Sequence, residues 1–440
     1  MKRKVRLYGN VTFGLSAFLT LCEVLMQAFG CIEDVWAFLQ ERGLFHIDLS
    51  LGRMHDAIAR LGPRKPACVV QVLGTNGKGS TSTFLANLCH AHGLPCGLYT
   101  SPHFVSPKER IRGFPCDFDE EAWLEAANNV LAVDQGLTYF EFMTLVALEL
   151  FCQRQVQVAV LEAGLGGAHD ATTATHRDVL CYTPIALDHC ALLGPTLTDI
   201  ALDKAQAMAS GHCVVSACQY PAARAVLERI ACKRHLDLQI LEARCTYEGP
   251  LGLCGSHQRN NAALALATFE RVCAHIGLEP DPSRIKQGLA EAFLPGRLQR
   301  LEGCANYPPL ILDGAHNPHG MQTMLRSLDM AGLHPKGLVF SCLGDKDWQN
   351  LARLLKQRYP HLDVHLPLIH NERALDPARL SDFWDHGAQA GRLVGLSVEV
   401  TLKRLACTHD APYLLTGSLY LLSEFFSAFP HALLPEHLEE

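Results

Sequence analysis

The 440-residue sequence lacks the short motifs that mark several common classes of protein. None of its 18 cysteines is spaced as C-x-x-C, which argues against zinc ribbons and redox motifs, and so long a chain needs no disulfide framework. No H-E-x-x-H motif, internal repeat or low-complexity tract is present. The formal net charge of -7 gives no general attraction to nucleic acid or to an anionic membrane. We therefore expect a cytoplasmic protein with reduced thiols and no nucleic-acid partner.

The N-terminal segment is the one region whose composition suggests a signal or an anchor. Residues 11–30 are apolar apart from Glu23 and Gln27 and follow a basic start, a pattern typical of a signal peptide or a weak membrane span. The internal charge and the lack of a clear cleavage site count against both interpretations. An assigned start upstream of the true one, for which Met26 is the candidate, explains the segment equally well. We therefore treat residues 1–29 as an extension or a mis-assigned start, and expect no membrane partner.

Short apolar runs alternate with helix-like segments along most of the chain, which predicts an α/β protein of two domains. A boundary near residue 295 separates a P-loop-containing domain with a parallel-type central sheet, residues 30–295, from a smaller Rossmann-like α/β domain, residues 296–440. Strands are expected at residues 68–74, 156–162, 178–185, 212–217, 309–316, 337–344, 361–367 and 411–417. Helices are expected at residues 81–92, 196–209, 221–235 and 256–273.

A glycine-rich stretch, GTNGKGST at residues 74–81, lies between the first predicted strand and the first predicted helix. It departs from the phosphate-loop signature G-x-x-x-x-G-K-[ST], because Val72 stands five residues before Gly77 and Gly79 separates Lys78 from Ser80. The necessary chemistry is still present: glycines for close backbone approach, a lysine charge, and a hydroxyl at a helix start. The stretch fits an NTPase, a kinase, a GTP switch or an ATP-driven ligase, and a capped glycine-rich turn is the structural alternative.

Two acidic positions follow predicted strands of the same sheet. Glu162 ends the strand VQVAVLE, and open α/β sheets bind ligands at the carboxyl ends of their strands. A carboxylate there can complete a Mg²⁺ shell begun by Ser80. Asp188 and His189 follow the strand DVLCYTPI, where the histidine could orient a group or handle a proton, or could be a satisfied loop histidine.

Further motifs resemble, in order along the chain, those of one enzyme family. They are TSPHFVSPKERIR (100–112), LTYFEF (137–142), LEAGLGGAHDAT (161–172), LDHCALLGPT (187–196), HQRNNAALAL (257–266), LPGRL (294–298), DGAHNP (313–318), LGDKD (343–347) and TGSLYL (416–421). Together with GTNGKGST they are similar to folylpolyglutamate synthase and dihydrofolate synthase, which are Mur-ligase-like ATP-dependent amide ligases. The resemblance implies that ATP phosphorylates the terminal carboxylate of a pteroate or folate, and that the amine of L-glutamate attacks the resulting acyl phosphate.

The resemblance also implies roles for individual residues. The implied catalytic residues are Lys78, Lys204 and His316, and the implied Mg²⁺ ligands are Ser80, Glu162 and His189. The implied ATP contacts are Gly74, Thr75, Asn76, Gly77, Lys78, Gly79, Ser80, Thr81, Asn261, Arg297, Asp313 and His316. The implied substrate contacts are Ser101, Pro102, His103, Phe140, Asp170 and Ser418. Lys204 matches a lysine that carries a carbamate in this family, although by residue type alone an exposed helix lysine would be favoured.

The sequence departs from the family pattern at a few positions. Ala168 replaces an arginine, Thr173 replaces an asparagine, and the run around Lys204 reads Asp-Lys-Ala-Gln-Ala in place of Glu-Lys-Ala-Gly-Ile. We expect these changes to affect the range of substrates more than the activity. Several implied roles also have structural alternatives: Arg297 could form a surface ion pair, Phe140 could belong to the core, and Ser418 could cap a helix.

Two other functions remain open from the sequence. One is a nucleotide-binding regulatory protein whose ligase activity has decayed, although the implied metal and catalytic residues are all retained. The other is a Mur-type ligase that acts on a different acceptor. For the folate ligase we expect a monomer that acts on small molecules: ATP, L-glutamate and dihydropteroate or a reduced folate.

Overall fold

A computed structural model of the chain describes residues 28–43, 50–62, 65–384, 392–406 and 411–435. The apolar N-terminal pattern, on which the signal, anchor and start-site interpretations rest, lies almost wholly outside these ranges. Within them, no helix combines the length and the apolar character that crossing a membrane would require.

The first part of the chain folds around one sheet with helices on both faces. Its strands are β1 (Cys68–Leu73), β2 (Cys96–Tyr99), β3 (Ile111–Phe114), β4 (Val158–Glu162), β5 (Val179–Tyr182), β6 (Cys213–Ser216) and β7 (Asp237–Ile240). Its helices are α1 (Ile32–Glu41), α2 (Gly52–Leu61), α3 (Lys78–Ala91), α4 (Glu120–Leu131), α5 (Tyr139–Gln153), α6 (Cys190–Leu193), α7 (Leu197–Ala205), α8 (Pro221–Lys233), α9 (Ser256–Ile276) and α10 (Pro282–Ala290).

A second sheet follows. Its strands are β8 (Arg297–Leu301), β9 (Leu310–Asp313), β10 (Gly337–Phe340), β11 (Asp363–Leu368), β12 (Val394–Ser397) and β13 (Tyr413–Thr416). Its helices are α11 (Pro318–Met330), α12 (Trp348–Arg358), α13 (Pro377–Trp384), α14 (Val398–Leu405) and α15 (Leu419–Ala428). Short 3₁₀ helices lie at Pro107–Arg110, Ala171–Ala174 and Pro430–Leu433.

The strand order of the first sheet is β3-β2-β4-β1-β5-β6-β7, and that of the second is β12-β11-β10-β13-β9-β8. All neighbouring strands run parallel except β3 against β2 and β8 against β9, which are antiparallel. The predicted α/β fold with a parallel central sheet is therefore confirmed, with an antiparallel strand at one edge of each sheet.

The central strands are apolar because both faces of each sheet are covered by helices. Every residue of β1, β4 and β5 is buried. Alternate residues of β1 contact different cores, since Val69 packs with α4 and α5 while Val70 packs with α3 and α9. Because β4, β1 and β5 are neighbours and parallel, the segments that follow them meet at one edge of the sheet.

Candidate functional site

The glycine-rich loop joins β1 to the first turn of α3. Gly77 has a left-handed φ of 87° and immediately precedes Lys78, the first helical residue. A Cβ added at Gly77 would lie 2.7 Å from Asn261 Oδ1, and one at Gly74 would lie 1.9 Å from Thr183 Oγ1. Only glycine fits at these two positions. The loop is a tight turn at a helix N-terminus, which is the geometry that binds phosphate oxygens.

Polar side chains surround the first turn of α3. Lys78 Nζ donates a hydrogen bond to Thr75 O at 3.4 Å, so the ammonium lies over the loop. The buried Ser80 hydroxyl accepts a hydrogen bond from Gln258 Nε2 at 3.2 Å, and Asn261 Nδ2 donates to Gln258 Oε1 at 2.9 Å. Gln258, which the sequence prediction did not select, therefore links two predicted nucleotide contacts. The H-Q-x-x-N spacing could have identified Gln258, because it places this residue one helical turn before Asn261.

Glu162 ends β4 and lies beside the phosphate loop. Only 4% of the residue is exposed, and its Oε2 accepts a hydrogen bond from Ser101 N at 3.1 Å. Burial raises the pKa of the Glu162 carboxyl, and the charge of Lys78 opposes this shift. The buried carboxylate and the Ser80 hydroxyl are the oxygen donors that Mg²⁺ prefers, so this pair fits such an ion.

His189 directly precedes α6 and adopts a left-handed φ of 52°. Burial lowers the pKa of its imidazole to about 4, against the opposing charge of Asp188. The ring is therefore neutral near pH 7, and a neutral imidazole can donate a lone pair to a metal ion. His189 lies at the same sheet edge as Glu162, and its assignment as a ligand stays a prediction.

Asp188 is a centre of contact between the two parts of the chain, a role that the sequence prediction did not assign. Its Oδ1 lies 2.7 Å from Lys346 Nζ, and its Oδ2 accepts a hydrogen bond from Asn317 Nδ2 at 3.0 Å. Burial alone would raise the pKa of the Asp188 carboxyl, but the charges of His316 and Lys346 hold it well below its usual range. Burial lowers the pKa of His316, and the shorter contact of Asp188 is the one with Lys346, at 2.7 Å against 3.7 Å for His316.

The phosphate loop itself touches the second part of the chain. Asn76 Nδ2 donates to Asn317 Oδ1 at 3.2 Å, and Asn317 Nδ2 donates back to Asn76 Oδ1 at 3.0 Å. His316 Nε2 lies 3.7 Å from Asp188 Oδ2, and its Nδ1 lies 2.8 Å from Gly314 O. The predicted nucleotide residues Asn76 and His316 are thus brought together around Asp188 and Asn317.

We predict that Lys346→Met lowers kcat/KM for ATP by about tenfold, which corresponds to about 1.4 kcal/mol. The change removes the cation that neutralises the buried Asp188 carboxylate between the two parts of the chain. Steady-state kinetics measured at varied ATP concentration would detect this loss. The matched control is Lys336→Met, which alters an exposed lysine of the same half. Equal kinetics for the two variants would contradict the prediction.

Lys204 lies in the last turn of α7, with only 4% of the residue exposed. Its Nζ donates to Gly166 O at 3.4 Å, in the glycine-rich segment that follows Glu162. Burial, together with the charge of Lys78, lowers the pKa of Lys204 to about 7. The residue is therefore not an exposed helix lysine. An amine that is partly neutral at pH 7 is the form that can capture CO₂ as a carbamate.

Arg297 and Asp313 lie opposite each other in β8 and β9. The Asp313 carboxylate accepts hydrogen bonds from Leu298 N at 3.0 Å and from Ala315 N at 2.9 Å. Burial raises the pKa of Asp313 to about 6, and the charge of Arg297 opposes the shift. Arg297 also opposes the rise in the pKa of Glu162. Its guanidinium therefore acts electrostatically on carboxylates in both parts of the chain and is not an isolated surface charge.

The predicted substrate loop begins where β2 ends. Ser101 N bonds to Glu162, and the His103 Nδ1 atom accepts a hydrogen bond from Arg110 Nε at 2.7 Å. Burial and the Arg110 charge lower the pKa of His103 to about 3, so the ring is neutral. Pro102 and Phe104 continue this loop, and the Phe104 ring lies 4.8 Å, centroid to centroid, from Phe426 of α15. The loop thus connects the Glu162 edge to the second sheet.

Three other predicted positions have clear local roles. Phe140 lies against Gly164, where an added Cβ would come within 2.7 Å of its ring, so it borders the segment after Glu162. Both Asp170 carboxylate oxygens accept hydrogen bonds within their own loop, from Leu165 N at 2.9 Å and from Thr172 N at 3.0 Å. Ser418 caps α15 by accepting a hydrogen bond from Tyr420 N at 3.1 Å. The side chains of Asp170 and Ser418 therefore already accept hydrogen bonds from backbone N–H groups close to them in the sequence.

Two of the three departures from the family pattern, Thr173 and Ala168, take part in hydrogen bonds of the fold. Thr173 accepts a hydrogen bond from Gln71 Nε2 at 2.8 Å and donates one to Gly167 O at 2.7 Å. Ala168 N donates to Asp203 O at 3.2 Å. Thr173 therefore helps to hold the glycine-rich segment next to Lys204.

Comparisons with known proteins agree with this architecture. The family described as Mur ligase, glutamate ligase domain, matches residues 296–409. The chain is 32% identical to folylpolyglutamate synthase of Lacticaseibacillus casei, over 82% of this chain and 90% of that protein. It is 37% identical to dihydrofolate synthase/folylpolyglutamate synthase of Escherichia coli, over 75% of this chain and 80% of that protein.

Solved structures are similar over nearly the whole chain. Escherichia coli FolC in complex with DHPP and ADP matches with a TM-score of 0.79 and 29% identity, covering 92% of this chain and 99% of that one. The bifunctional folylpolyglutamate synthase/dihydrofolate synthase of Yersinia pestis, complexed with AMPPNP and a Mn ion, matches with a TM-score of 0.79 and 28% identity, again covering 92% and 99%.

Proposed function

We infer that this chain, which belongs to the family of folylpolyglutamate synthases and dihydrofolate synthases, is an ATP-dependent amide-forming ligase. It adds L-glutamate to dihydropteroate, to the γ-carboxylate of a reduced folate, or to both. The observation that carries this proposal is the convergence of Lys78, Glu162 and Lys204 at one sheet edge. The ion pair of Asp188 with Lys346 holds the second part of the chain over that edge.

Complexes of the relatives with ADP, and with AMPPNP and a Mn ion, support ATP and a divalent ion as ligands of this chain. Ser80, Glu162 and His189 would hold Mg²⁺, which supplies neutralising charge to the phosphates when it is bound. These residues offer two oxygen donors and a neutral imidazole at the N-terminus of α3 and the neighbouring strand ends. Mg²⁺ therefore fits these three side chains, and the phosphates of ATP fit the N-terminus of α3.

The reaction brings several anions together, and this is the difficulty that the site must overcome. The acceptor carboxylate attacks the γ-phosphorus of ATP and ADP leaves, which gives an acyl phosphate. The amine of L-glutamate then attacks the acyl carbon, phosphate leaves, and the amine loses a proton to solvent. Lys78 would stabilise charge on the transferring phosphoryl group from the helix N-terminus, and Lys204, as a carbamate, would contribute anionic oxygens.

We assign ATP binding to residues 30–295 and glutamate ligation to residues 296–440. Arg297, Asp313 and His316 would complete the nucleotide site from the second part of the chain. His316 lies beside Asp188, the charge of Arg297 acts on Glu162, and Asp313 lies opposite Arg297. The proposed substrate contacts are Ser101, Pro102, His103, Phe140, Asp170 and Ser418. Of these, Ser101, His103 and Phe140 have the geometry that supports the role best, since they line the loop beside Glu162.

The described cysteines are all free thiols, which supports a reducing, cytoplasmic location. We further propose that the protein acts as a monomer.

An acceptor-dependence assay tests the proposed function. Purified protein is mixed with ATP, Mg²⁺ and L-glutamate, together with either dihydropteroate or tetrahydrofolate, and ADP release is followed. We expect glutamate-dependent ADP release with at least one of these acceptors, and a product heavier by one glutamyl residue in mass spectrometry. Tight ATP binding without turnover would instead favour the regulatory protein. ADP release that requires a UDP-linked or peptide acceptor would favour another Mur-type ligase.

A further inference from the structure

A second group of side chains that can bind a metal lies at the amino ends of the strands of the first sheet. The phosphate loop lies at the carboxyl ends. Cys68 begins β1, Asp178 directly precedes β5, and His275 lies in the last turn of α9. One ligand atom from each of these three residues lies within 4.8 Å of the other two. None of the three belongs to the ligase site, since the phosphate loop, Asp188 and Asn261 occupy the other ends of the same three elements.

The Asp178 carboxylate holds this cluster together. Its Oδ2 accepts a hydrogen bond from Val69 N at 2.9 Å, which fixes the orientation of the carboxylate. Its Oδ1 lies 2.8 Å from His176 Nε2 and 3.7 Å from His275 Nε2. The chain therefore places one thiol, one carboxylate and one imidazole close together, and the imidazole of His176 pairs with the carboxylate.

These distances are close to those in a tetrahedral metal site. With bonds of about 2.3 Å to sulfur and about 2.0–2.1 Å to nitrogen or oxygen, neighbouring ligand atoms lie about 3.3–3.6 Å apart. His275 already lies near that distance from Asp178, and a small side-chain rotation would bring Cys68, whose sulfur lies within 4.8 Å of both other ligand atoms, to it. Thiolate and imidazole ligands favour Zn²⁺ and similar transition metals over Mg²⁺.

Burial of the thiol opposes its ionisation, and the charge of a bound ion would have to offset this cost. Cys68 is fully buried, and burial raises the pKa of its thiol, so the group stays protonated in the absence of a cation. A metal ion would displace that proton to solvent and form the metal–sulfur bond. Lys65 Nζ lies 3.8 Å from Asp178 Oδ1, but its side chain is 49% exposed and can turn into solvent. A surface cavity has His176, Arg177, Asp178 and His212 in its wall, so the Asp178 side of the cluster borders it.

We propose that Cys68, Asp178 and His275 form a binding site for Zn²⁺ or a similar divalent transition metal at the amino ends of the strands of the first sheet, with a water molecule as the fourth ligand and His176 hydrogen-bonded to Asp178. The ion would tie together the starts of β1 and β5 and the end of α9. The other ends of these elements carry the phosphate loop, Asp188 and Asn261. The site would therefore stabilise the framework of the ligase site without contacting its substrates.

The test uses the full chain, reduced and stripped of metal with a chelator, with excess Mg²⁺ present to occupy oxygen-donor sites. Co²⁺ is titrated and followed by absorption, because a thiolate ligand gives a sulfur-to-cobalt band in the near ultraviolet. We expect one equivalent to bind with this band, Zn²⁺ to displace it, and Zn²⁺ to raise the melting temperature. Cys68→Ala is expected to remove the band, and His275→Gln to weaken binding by about 10–100-fold.

Matched controls are Cys213→Ala, which alters a thiol at the start of the neighbouring strand β6, and His55→Gln, which alters an exposed histidine of α2. Both should bind Co²⁺ like the parent chain. If Cys68→Ala fails to fold, the His275→Gln result decides, because the His275 side chain is 42% exposed and its loss leaves the core intact. The proposal would be overturned if the parent chain bound Co²⁺ no more tightly than His275→Gln, or if the sulfur band were absent. Asp178 would then belong to an ion-pair cluster and not to a metal site.

Discussion

A Lys78→Ala variant is expected to lose about 10³-fold or more in kcat/KM, which corresponds to about 4 kcal/mol of transition-state stabilisation. Lys78 is the first residue of α3, its ammonium lies over the phosphate loop, and its charge acts on the buried carboxylate of Glu162. Its removal would leave the transferring phosphoryl group without this cation at the helix N-terminus. The measurement is glutamate- and acceptor-dependent ADP release under steady-state conditions.

The stability of this variant should change little. Lys78 is half-buried and makes one long hydrogen bond within its own loop, so we expect the melting temperature to stay within a few degrees of that of the parent chain. Lys108→Ala is the control, because Lys108 forms a surface ion pair with the exposed Glu120. Activity in Lys78→Ala within tenfold of the parent would refute the placement of the phosphate loop in the catalytic site.

A Lys204→Met variant is expected to lose about 10²–10³-fold in kcat without losing stability. Methionine has a similar length and volume and buries no amine, so the melting temperature should equal or exceed that of the parent chain. The loss of activity would come from the missing carbamate oxygens next to Gly166 and the segment that follows Glu162. Kinetics and thermal unfolding of the same preparation would separate the two effects.

Chemical rescue makes this test specific for the carbamate. Small carboxylates such as formate carry two anionic oxygens and should partly restore the activity of Lys204→Ala, whose truncated side chain leaves room for them. Lys233→Met serves as the control, since Lys233 lies exposed in the last turn of α8. Full activity of Lys204→Met would exclude a catalytic role for this lysine, and a lack of rescue combined with a lower melting temperature would indicate a purely structural one.

The sequence predicted the interior strands of both sheets and missed their edges. The strands β1, β4, β5, β6, β9, β10, β11 and β13 correspond to predicted apolar runs and all lie inside a sheet. The missed strands β3, β7, β8 and β12 are the four edges, and none of them is buried along its whole length. An edge strand has one neighbouring strand and more solvent around it, so it needs no continuous apolar run. The short interior strand β2, which contains a glycine, was missed as well.

The boundaries of helices, like the edge strands, were not predicted correctly from the local sequence. The first helix after the phosphate loop was expected at residue 81, but α3 begins at Lys78, because the φ of 87° at Gly77 allows the turn to close directly into a helix. The predicted helix over residues 196–209 ends at Ala205. In both cases the apolar periodicity located the helix, and the backbone geometry at its end determined the boundary.

The sequence by itself determined the α/β fold, the phosphate loop between β1 and α3, and the family to which the chain belongs, because these depend on residue order and on local periodicity. Only the tertiary structure decided how the site is closed. Asp188 meets Lys346, which is 158 positions away, and Asn76 meets Asn317, which is 241 positions away. The burial that lowers the pKa of Lys204 to about 7 likewise comes from segments remote in the sequence. Contacts and desolvation of this kind depend on packing between distant segments, and no local pattern of residues records them.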